Sequence, residues 1–292
     1  MSKILVTGKN GQLGKSIQKI LVDNKQIHEF TFVSRNELDL SDNNNIINYF
    51  KNNIFDIIIN CAAFTQVDKA EKEPKISNQV NHLAVMQLAK IAKKQQVRLI
   101  HISTDYVFDG KSNNLYGEND KTNPINIYGK TKLAGEKAIQ KILKTNAVII
   151  RVSWLYSEYG KNFVKTILSL AKKKDQINVV NDQIGSPTYA SDLAEVILKI
   201  IKNESFIKKN QKTQIYHYSN KGKISWHEFA KEIIKITKIN CKVNPISSKN
   251  YPTQTKRPNI VLMNKTKISQ SFSINILGLK KSLEKCISIL LQ

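Results

Sequence analysis

The chain has 292 residues, 41% of them hydrophobic, and carries a formal net charge of +23. That length suits one large domain or two modest ones, and the apolar share can bury a substantial core. No apolar run is long enough to span a bilayer, the N-terminus lacks a signal-peptide layout, and the three cysteines and five histidines are scattered, which argues against a membrane protein, a disulfide scaffold or a zinc site and for a cytoplasmic chain.

The lysines are spread along the whole chain among many Asn and Ile residues. This is the look of an AT-rich genome rather than of a basic stripe, so no nucleic-acid partner is expected. The densest run, Lys172-Lys173-Lys174, ends a helical pattern, where cations suit the dipole. A positive field would still help collect a phosphate-bearing substrate.

In chain order, Ile4–Val6 reads as a strand and Gln12–Val22 as a helix. Phe30–Val33 is the second strand, and Asn45–Asn53 a short helix with Ser41 or Asp42 as its cap. Ile57–Asn60 is a buried strand, followed by a long helix near residues 78–94 with an apolar face of Leu83, Met86, Leu88, Ile91 and Ala92. Arg98–Ser103 is a strand, Tyr128–Leu143 a helix and Ala147–Ser153 a strand. Strands this apolar, alternating with helices, predict a doubly wound α/β fold with a parallel sheet covered on both faces.

After Val152 the alternation weakens. Helices are expected over Asn162–Lys173, Asp192–Ile201, Trp226–Ile236 (capped by Ser225) and Lys280–Leu291, with Ile177–Val180 extended and residues 203–213 a polar loop. The reading divides the chain into a dinucleotide-binding lobe, residues 1–152 plus about 182–214, and a smaller α/β lobe, about 153–181 plus 215–292, over the sheet's carboxyl edge.

The chemistry sits in a few motifs. Gly8, Gly11 and Gly14 form Gly-x-x-Gly-x-x-Gly between the first strand and the first helix, with Gln12 and Leu13 opening the helix. Gly8 allows the turn, Gly11 lets backbone approach a pyrophosphate and Gly14 lets helix lie close on strand. At the end of the second strand stand Ser34 and Arg35 with no acid at the strand end, a pattern that suits the 2′-phosphate of NADPH, or else leaves Arg35 a surface residue. Asp39 and Leu40 follow and are candidates to flank the adenine. Cys61, Ala62, Ala63, Phe64 and Thr65 end the third strand in small residues, which suit either a flat cofactor or tight strand–helix packing.

The fourth strand ends in Ser103-Thr104-Asp105, and Tyr128 and Lys132 lie four residues apart at the start of a helix, on one face. Such a tyrosine passes a proton to a carbonyl oxygen, the lysine is expected to lower its pKa, and Thr104 can orient the ketone. Together they read as a carbonyl-reducing triad.

At these residues the chain resembles the extended short-chain dehydrogenase/reductase superfamily, and within it the dTDP-4-dehydrorhamnose reductase family. The stretches that carry the resemblance are Thr65-Gln-Val-Asp-Lys-Ala-Glu71, Ser103-Thr-Asp-Tyr-Val-Phe-Asp-Gly110, Tyr128-Gly-Lys-Thr-Lys132, Arg151-Val-Ser-Trp-Leu-Tyr156, Asp182-Gln-Ile-Gly-Ser-Pro-Thr188 and Arg257-Pro-Asn259. The resemblance implies reduction of the 4-keto group of dTDP-4-dehydro-L-rhamnose by NADPH, or by NADH, with Tyr128 as proton donor. It further implies that Lys132 holds the nicotinamide ribose and that Val67, Asp105 and Trp154 meet the nucleotide-sugar, Trp154 either stacking on it or packing as a wall. On chemical grounds Asn162 and Arg257 are candidates for the diphosphate or thymidine end, with Arg257 as a surface residue the alternative. Some bacterial members of the family dimerise through magnesium held by glutamates, one just after the glycine loop; Lys15 stands there, so no metal is expected. The chain is expected as a monomer or a homodimer. Two rivals remain: an epimerase or dehydratase of the same superfamily, against which Asp105 followed by Tyr106 argues, and a non-catalytic NADP-binding regulatory subunit.

Overall fold

Strands with no polar face cannot border water, and the computed structural model, which describes residues 1–23, 27–112, 114–208, 211–251 and 255–292, gathers them into one parallel sheet. The first half runs β1 (Lys3–Thr7), α1 (Gln12–Asp23), β2 (Glu29–Val33), α2 (Asn43–Asn52), β3 (Ile57–Asn60), α3 (Val67–Lys72), α4 (Pro74–Asn78), a π-helical turn (Gln79–Leu83), α5 (Ala84–Gln95), β4 (Arg98–Thr104), α6 (Ile127–Ile142) and β5 (Ala147–Val152). The second half runs β6 (Leu155–Tyr156), α7 (Phe163–Ala171), β7 (Gln176–Val180), β8 (Ile184–Gly185), β9 (Thr188–Tyr189), α8 (Ala190–Lys202), α9 (Glu204–Ile207), β10 (Gln214–Tyr218), β11 (Ile224–Ser225), α10 (Trp226–Thr237), β12 (Lys242–Ile246), α11 (Thr266–Ser271) and α12 (Leu279–Leu290).

The main sheet has the order β10-β5-β4-β3-β1-β2, every neighbour parallel. From β1 the chain goes outward to β2, then returns to β3 on the other side. The connections therefore diverge at β1 and β3, and a crevice opens beyond their carboxyl ends, Thr7 and Asn60. One face of the sheet buries Ile4, Val6, Ile59 and Ile150 against α1 and α8, through Leu13, Ile17, Leu193 and Ile197. The other buries Leu5, Ile58 and Ile149 against α2, α5 and α6, through Ile46, Leu88 and Ile139. A separate core in the second half joins α7, α10 and α12 through Val164, Phe229 and Leu283. Truncating any of these fully buried Leu or Ile side chains to Ala costs about 2–5 kcal/mol. Among the described residues no helix is long and apolar enough to cross a membrane.

Several expectations are revised. Asp42, not Ser41, caps α2, accepting from the Asn44 and Asn45 N–H groups. The long helix expected from residue 78 begins at Pro74 and passes through the π turn before α5. The expected loop 203–213 contains α9, capped by the Asn203 side chain on the Ser205 N–H; its residues 209–210 lie outside the described set. A lobe edge at residue 214 would cut β10, which pairs along its length with β5 from Gln214↔Val148 to Tyr218↔Val152. Residues Ile268 to Ile276 also pack on the main sheet's core through Phe272 and Ile274.

Candidate active site

The glycine loop fills the turn from β1 into α1. Gly8 takes φ +74°, a left-handed conformation that side chains disfavour, and its missing Cβ would sit 3.0 Å from the Ala62 nitrogen. Gly14 is more constrained: a Cβ there would lie 2.3 Å from the Gly8 carbonyl oxygen, a backbone atom that cannot swing away. The α1 N-terminus and the segment after β3 are thus drawn together with bare backbone between them, which fits a dinucleotide phosphate. Gly14→Ala is expected to cost about 1–3 kcal/mol, the range for overpacking, and to weaken NADPH binding. Chemical unfolding and a cofactor titration check this; an unchanged protein in both would refute the close approach.

Leu13 is buried in the core, so only its backbone is left for a ligand. The Gln12 side chain crosses to the second half: Nε2 donates to the Leu155 carbonyl at 3.3 Å, and Oε1 accepts from Ser157 Oγ and Asn162 Nδ2, each at 3.0 Å. Ala62 donates its N–H to Thr7 Oγ1, and Phe64 is held at both backbone groups by Asn81, whose Oδ1 accepts from its N–H and whose Nδ2 donates to its carbonyl. Ala63 is partly buried and Thr65 exposed beside them.

The end of β2 holds a residue that the sequence reading missed. Glu37 folds back so that its carboxylate accepts from the Ser34 N–H and hydroxyl and lies 3.5 Å from Lys9 Nζ. The Ser34 hydrogen bonds push it down to about 2. An acid therefore does stand beside the strand end, supplied from three residues beyond Ser34 by a turn that folds it back. Arg35 is exposed and reaches Asp39 Oδ2 at 3.1 Å and Ser41 Oγ at 3.1 Å. Asp39 and Leu40 do not present themselves to an adenine. The Asp39 carboxylate is occupied by Arg35 and by the Ser41 N–H and hydroxyl, and Leu40 is buried in the core with Val33 and Ile46.

Thr104 ends β4, and α6 starts behind it, its Asn126 cap accepting from the Gly129 N–H. The Thr104 side chain stands near the Tyr128 phenol, close enough to lower its pKa. The electrostatics differ from expectation. Burial pushes the Tyr128 phenol up to about 12; the neighbouring Thr104 hydroxyl pulls it down and nearby Asp105 pushes it up. Lys132 does not acidify it, because Nζ turns to β4, 2.6 Å from the Ile102 carbonyl and 3.3 Å from His101 Nε2. Burial pushes the Lys132 ammonium down to about 8, and the Glu136 carboxylate opposes that. Tyr128 thus enters at neutral pH with its proton in place, the state a proton donor needs.

Asp105 is buried, accepts from Thr104 Oγ1 at 3.1 Å, and is pushed up to about 7 by burial. Val67 begins α3, and the next residue, Asp68, pairs with Arg257 at 2.8 Å. The Arg257 guanidinium also lies near enough to the Tyr106 phenol to lower its pKa, and the Tyr106 ring stands edge-on to Tyr128, centroids 5.7 Å apart. A residue from the last quarter of the chain is so brought to the triad. Trp154 lies two residues past Val152, the partner of Thr104, at φ +47°. Its indole stacks on Trp226 at 3.4 Å and 6°, and a Cβ on Gly185 would lie 2.6 Å from it. One face of the ring is thus covered by Trp226. Asn162 is no free diphosphate ligand: it caps α7 through the Lys165 N–H, and its amide is spent on Gln12, Ser157 and Tyr159.

A crevice floored by a glycine loop, with threonine, protonated tyrosine and buried ammonium at the carboxyl edge of a parallel sheet, defines a nicotinamide-dependent oxidoreductase of the short-chain class. The family described as RmlD substrate binding domain matches residues 2–292, and the chain belongs to it. It is 41% identical over 283 residues to a dTDP-4-dehydrorhamnose reductase of Aggregatibacter actinomycetemcomitans, covering 94% of each chain. Its fold matches the crystal structure of a dTDP-4-dehydrorhamnose reductase from Clostridium acetobutylicum with a TM-score of 0.92 at 36% identity, covering 99% of this chain and 100% of that one. It also matches a dTDP-4-dehydrorhamnose reductase from Bacillus anthracis in complex with NADP, with a TM-score of 0.91 at 34% identity over 99% of each. The family and the doubly wound fold expected from the motifs are the ones found.

Proposed function

We propose that this chain reduces the 4-keto group of dTDP-4-dehydro-L-rhamnose to dTDP-L-rhamnose, in dTDP-rhamnose and polysaccharide biosynthesis. The observation that carries the reading is that Thr104, at the end of β4, and Tyr128, at the start of α6, stand beside one another at the edge of the glycine-loop crevice, close enough for the hydroxyl to lower the phenol's pKa. Bound NADPH supplies the hydride. Tyr128 gives its phenolic proton to the forming alkoxide, Thr104 orients the ketone, and the buried Lys132 ammonium would hold the nicotinamide ribose. Gly8, Gly11 and Gly14 hold the cofactor, with Ser34 and Arg35 at its adenosine end; Val67, Asp105, Trp154 and Arg257 border the sugar. We place the cofactor lobe at residues 1–152, about 182–218 and about 268–276, and the substrate lobe at about 153–181, 219–267 and 277–292. The three free cysteines suit the cytoplasm. All named groups come from one chain, so monomer and homodimer both satisfy the reading.

The test is NADPH consumption with dTDP-4-dehydro-L-rhamnose. One cofactor oxidised per sugar reduced is expected; sugar conversion without net NADPH loss would point to an epimerase or dehydratase, and cofactor binding without turnover to a regulatory subunit. Cofactor choice gives a second prediction. Glu37 brings a carboxylate to Ser34, where a 2′-phosphate would compete with it, while Arg35 would attract that phosphate. Glu37→Gln is expected to shift the NADPH-over-NADH preference upward by about two- to five-fold, and Arg35→Ala to shift it down by a similar factor, the scale of exposed charge pairs. Michaelis constants for both cofactors decide; the same preference in all three proteins would separate the 2′-phosphate from these residues.

A further inference from the structure

A buried polar chain runs from β1 to Lys132 beneath the crevice. The Ala62 N–H donates to Thr7 Oγ1 at 3.2 Å, and the Thr7 hydroxyl meets Asn60 Oδ1 at 2.7 Å. Asn60 Nδ2 lies 3.1 Å from His101 Nδ1, and His101 Nε2 lies 3.3 Å from Lys132 Nζ. Thr7, Asn60, His101 and Lys132 are 2%, 0%, 0% and 1% exposed, so water cannot complete their hydrogen bonds. Nothing in the reduction itself uses His101.

Counting donors and acceptors shows what His101 does. With Asn60 Nδ2 donating to His101 Nδ1, a neutral imidazole carries its proton on Nε2, facing Lys132. An ammonium has only donors, so that pattern requires Lys132 as a neutral amine. With the Asn60 amide turned over, Nδ2 donates to Thr7 Oγ1, which then accepts from both Asn60 and the Ala62 N–H, Oδ1 accepts from His101 Nδ1–H, Nε2 is bare, and it accepts from the ammonium. A doubly protonated ring is disfavoured, since burial and the Lys132 charge hold His101 well below its usual pKa. The tautomer of His101 and the charge of Lys132 are therefore locked together.

We propose that His101 is a positioning residue for Lys132: its bare Nε2 and the Ile102 carbonyl hold two of the three ammonium protons, which fixes the aim of the third at the active site. This rests on the reductase reading. The titratable groups around Lys132 are His101 on β4, Cys61 after β3 and Glu136 on α6, the last paired with Arg151. Burial pushes the Cys61 thiol up to about 12, so it stays neutral where Lys132 titrates.

The experiment compares His101→Leu and His101→Gln with wild type. The leucine removes the acceptor; the glutamine offers a carbonyl in its place. For His101→Leu we expect kcat lower by about tenfold and the alkaline limb of kcat/KM moved to lower pH by about one unit, the scale of one hydrogen bond to a charged group. His101→Gln is expected to recover most of both. Wild-type ¹⁵N imidazole spectra supply a readout that needs no stable variant of the leucine: at pH 6.5 His101, assigned with His101→Gln, should be protonated on Nδ1, passing to Nε2 as Lys132 loses its proton. An Nε2–H tautomer already at pH 6.5, or a His101→Leu enzyme with wild-type kcat and pH profile, would overturn the proposal. A wild-type protein that consumes no NADPH with the dTDP-sugar would instead undo the reductase reading and leave the tautomer result standing.

Discussion

In the Tyr128→Phe protein, NADPH oxidation with dTDP-4-dehydro-L-rhamnose is expected to run ~10²-fold or more below wild type, the scale for losing a general acid, with NADPH still binding. The substitution removes one oxygen and leaves the ring against Tyr106, so packing changes little. The phenol keeps its proton until about pH 12, held there chiefly by burial, so deprotonation of Tyr128 itself does not set the working pH range. The Lys132 ammonium does: it is present below about pH 8 and lost above it, so wild-type turnover should decline as pH rises through that region. Two measurements check the argument, the stopped-flow rate of NADPH oxidation and its pH profile. Equal rates in the two proteins would remove Tyr128 from the chemistry. A wild-type rate flat up to pH 10 would show that the ammonium is not required.

Much of this site could be read from the chain because its parts obey local rules. Gly8, Gly11 and Gly14 are spaced for a βα turn, Tyr128 and Lys132 share a helix face, and Thr104 lies where an apolar strand runs out. What stayed hidden depends on distance in sequence. Glu37 reaches the end of β2 only because a turn folds it back, and Arg257 comes beside Asp68 and Tyr106 from far along the chain. Asn162 is the right residue type for a nucleotide-sugar, yet its amide is taken by Gln12 and Ser157, and Trp154 has one ring face on Trp226. The strand β10 was not expected because Gln214-Ile-Tyr-His-Tyr218 follows a polar Lys/Asn-rich run and has no apolar alternation; it is buried only because β5 offers an edge. The direction of the Tyr128 shift was misjudged for a related reason. Helical spacing places Lys132 near Tyr128, but the aim of the ammonium is decided by the Ile102 carbonyl and His101 on another strand.

The other large effect concerns stability. Arg151 and Glu136 form a bidentate pair with Nη2–Oε2 at 2.7 Å and Nε–Oε1 at 3.0 Å, and the two side chains are 3% and 1% exposed. Ser103 Oγ also donates to Glu136, while the remaining Arg151 partners are the Glu118 carbonyl and His217. Glu136→Ala strands a buried guanidinium and is expected to destabilise the fold by about 3–5 kcal/mol. The double replacement Glu136→Met, Arg151→Met removes both charges and keeps the volume, so it should unfold close to wild type, since the desolvation cost of a buried pair cancels much of its attraction. Stability alone then gives no reason to keep the pair; its effect on Lys132 does. Glu136 lies one helical turn beyond Lys132 and raises the ammonium's pKa against burial. In the double variant the ammonium should deprotonate at lower pH, and the alkaline decline of turnover should move down with it while the denaturation midpoint holds. Urea unfolding and pH–rate profiles on the single and double variants separate the two effects. A double variant with the wild-type pH profile would mean that Glu136 serves Arg151 alone.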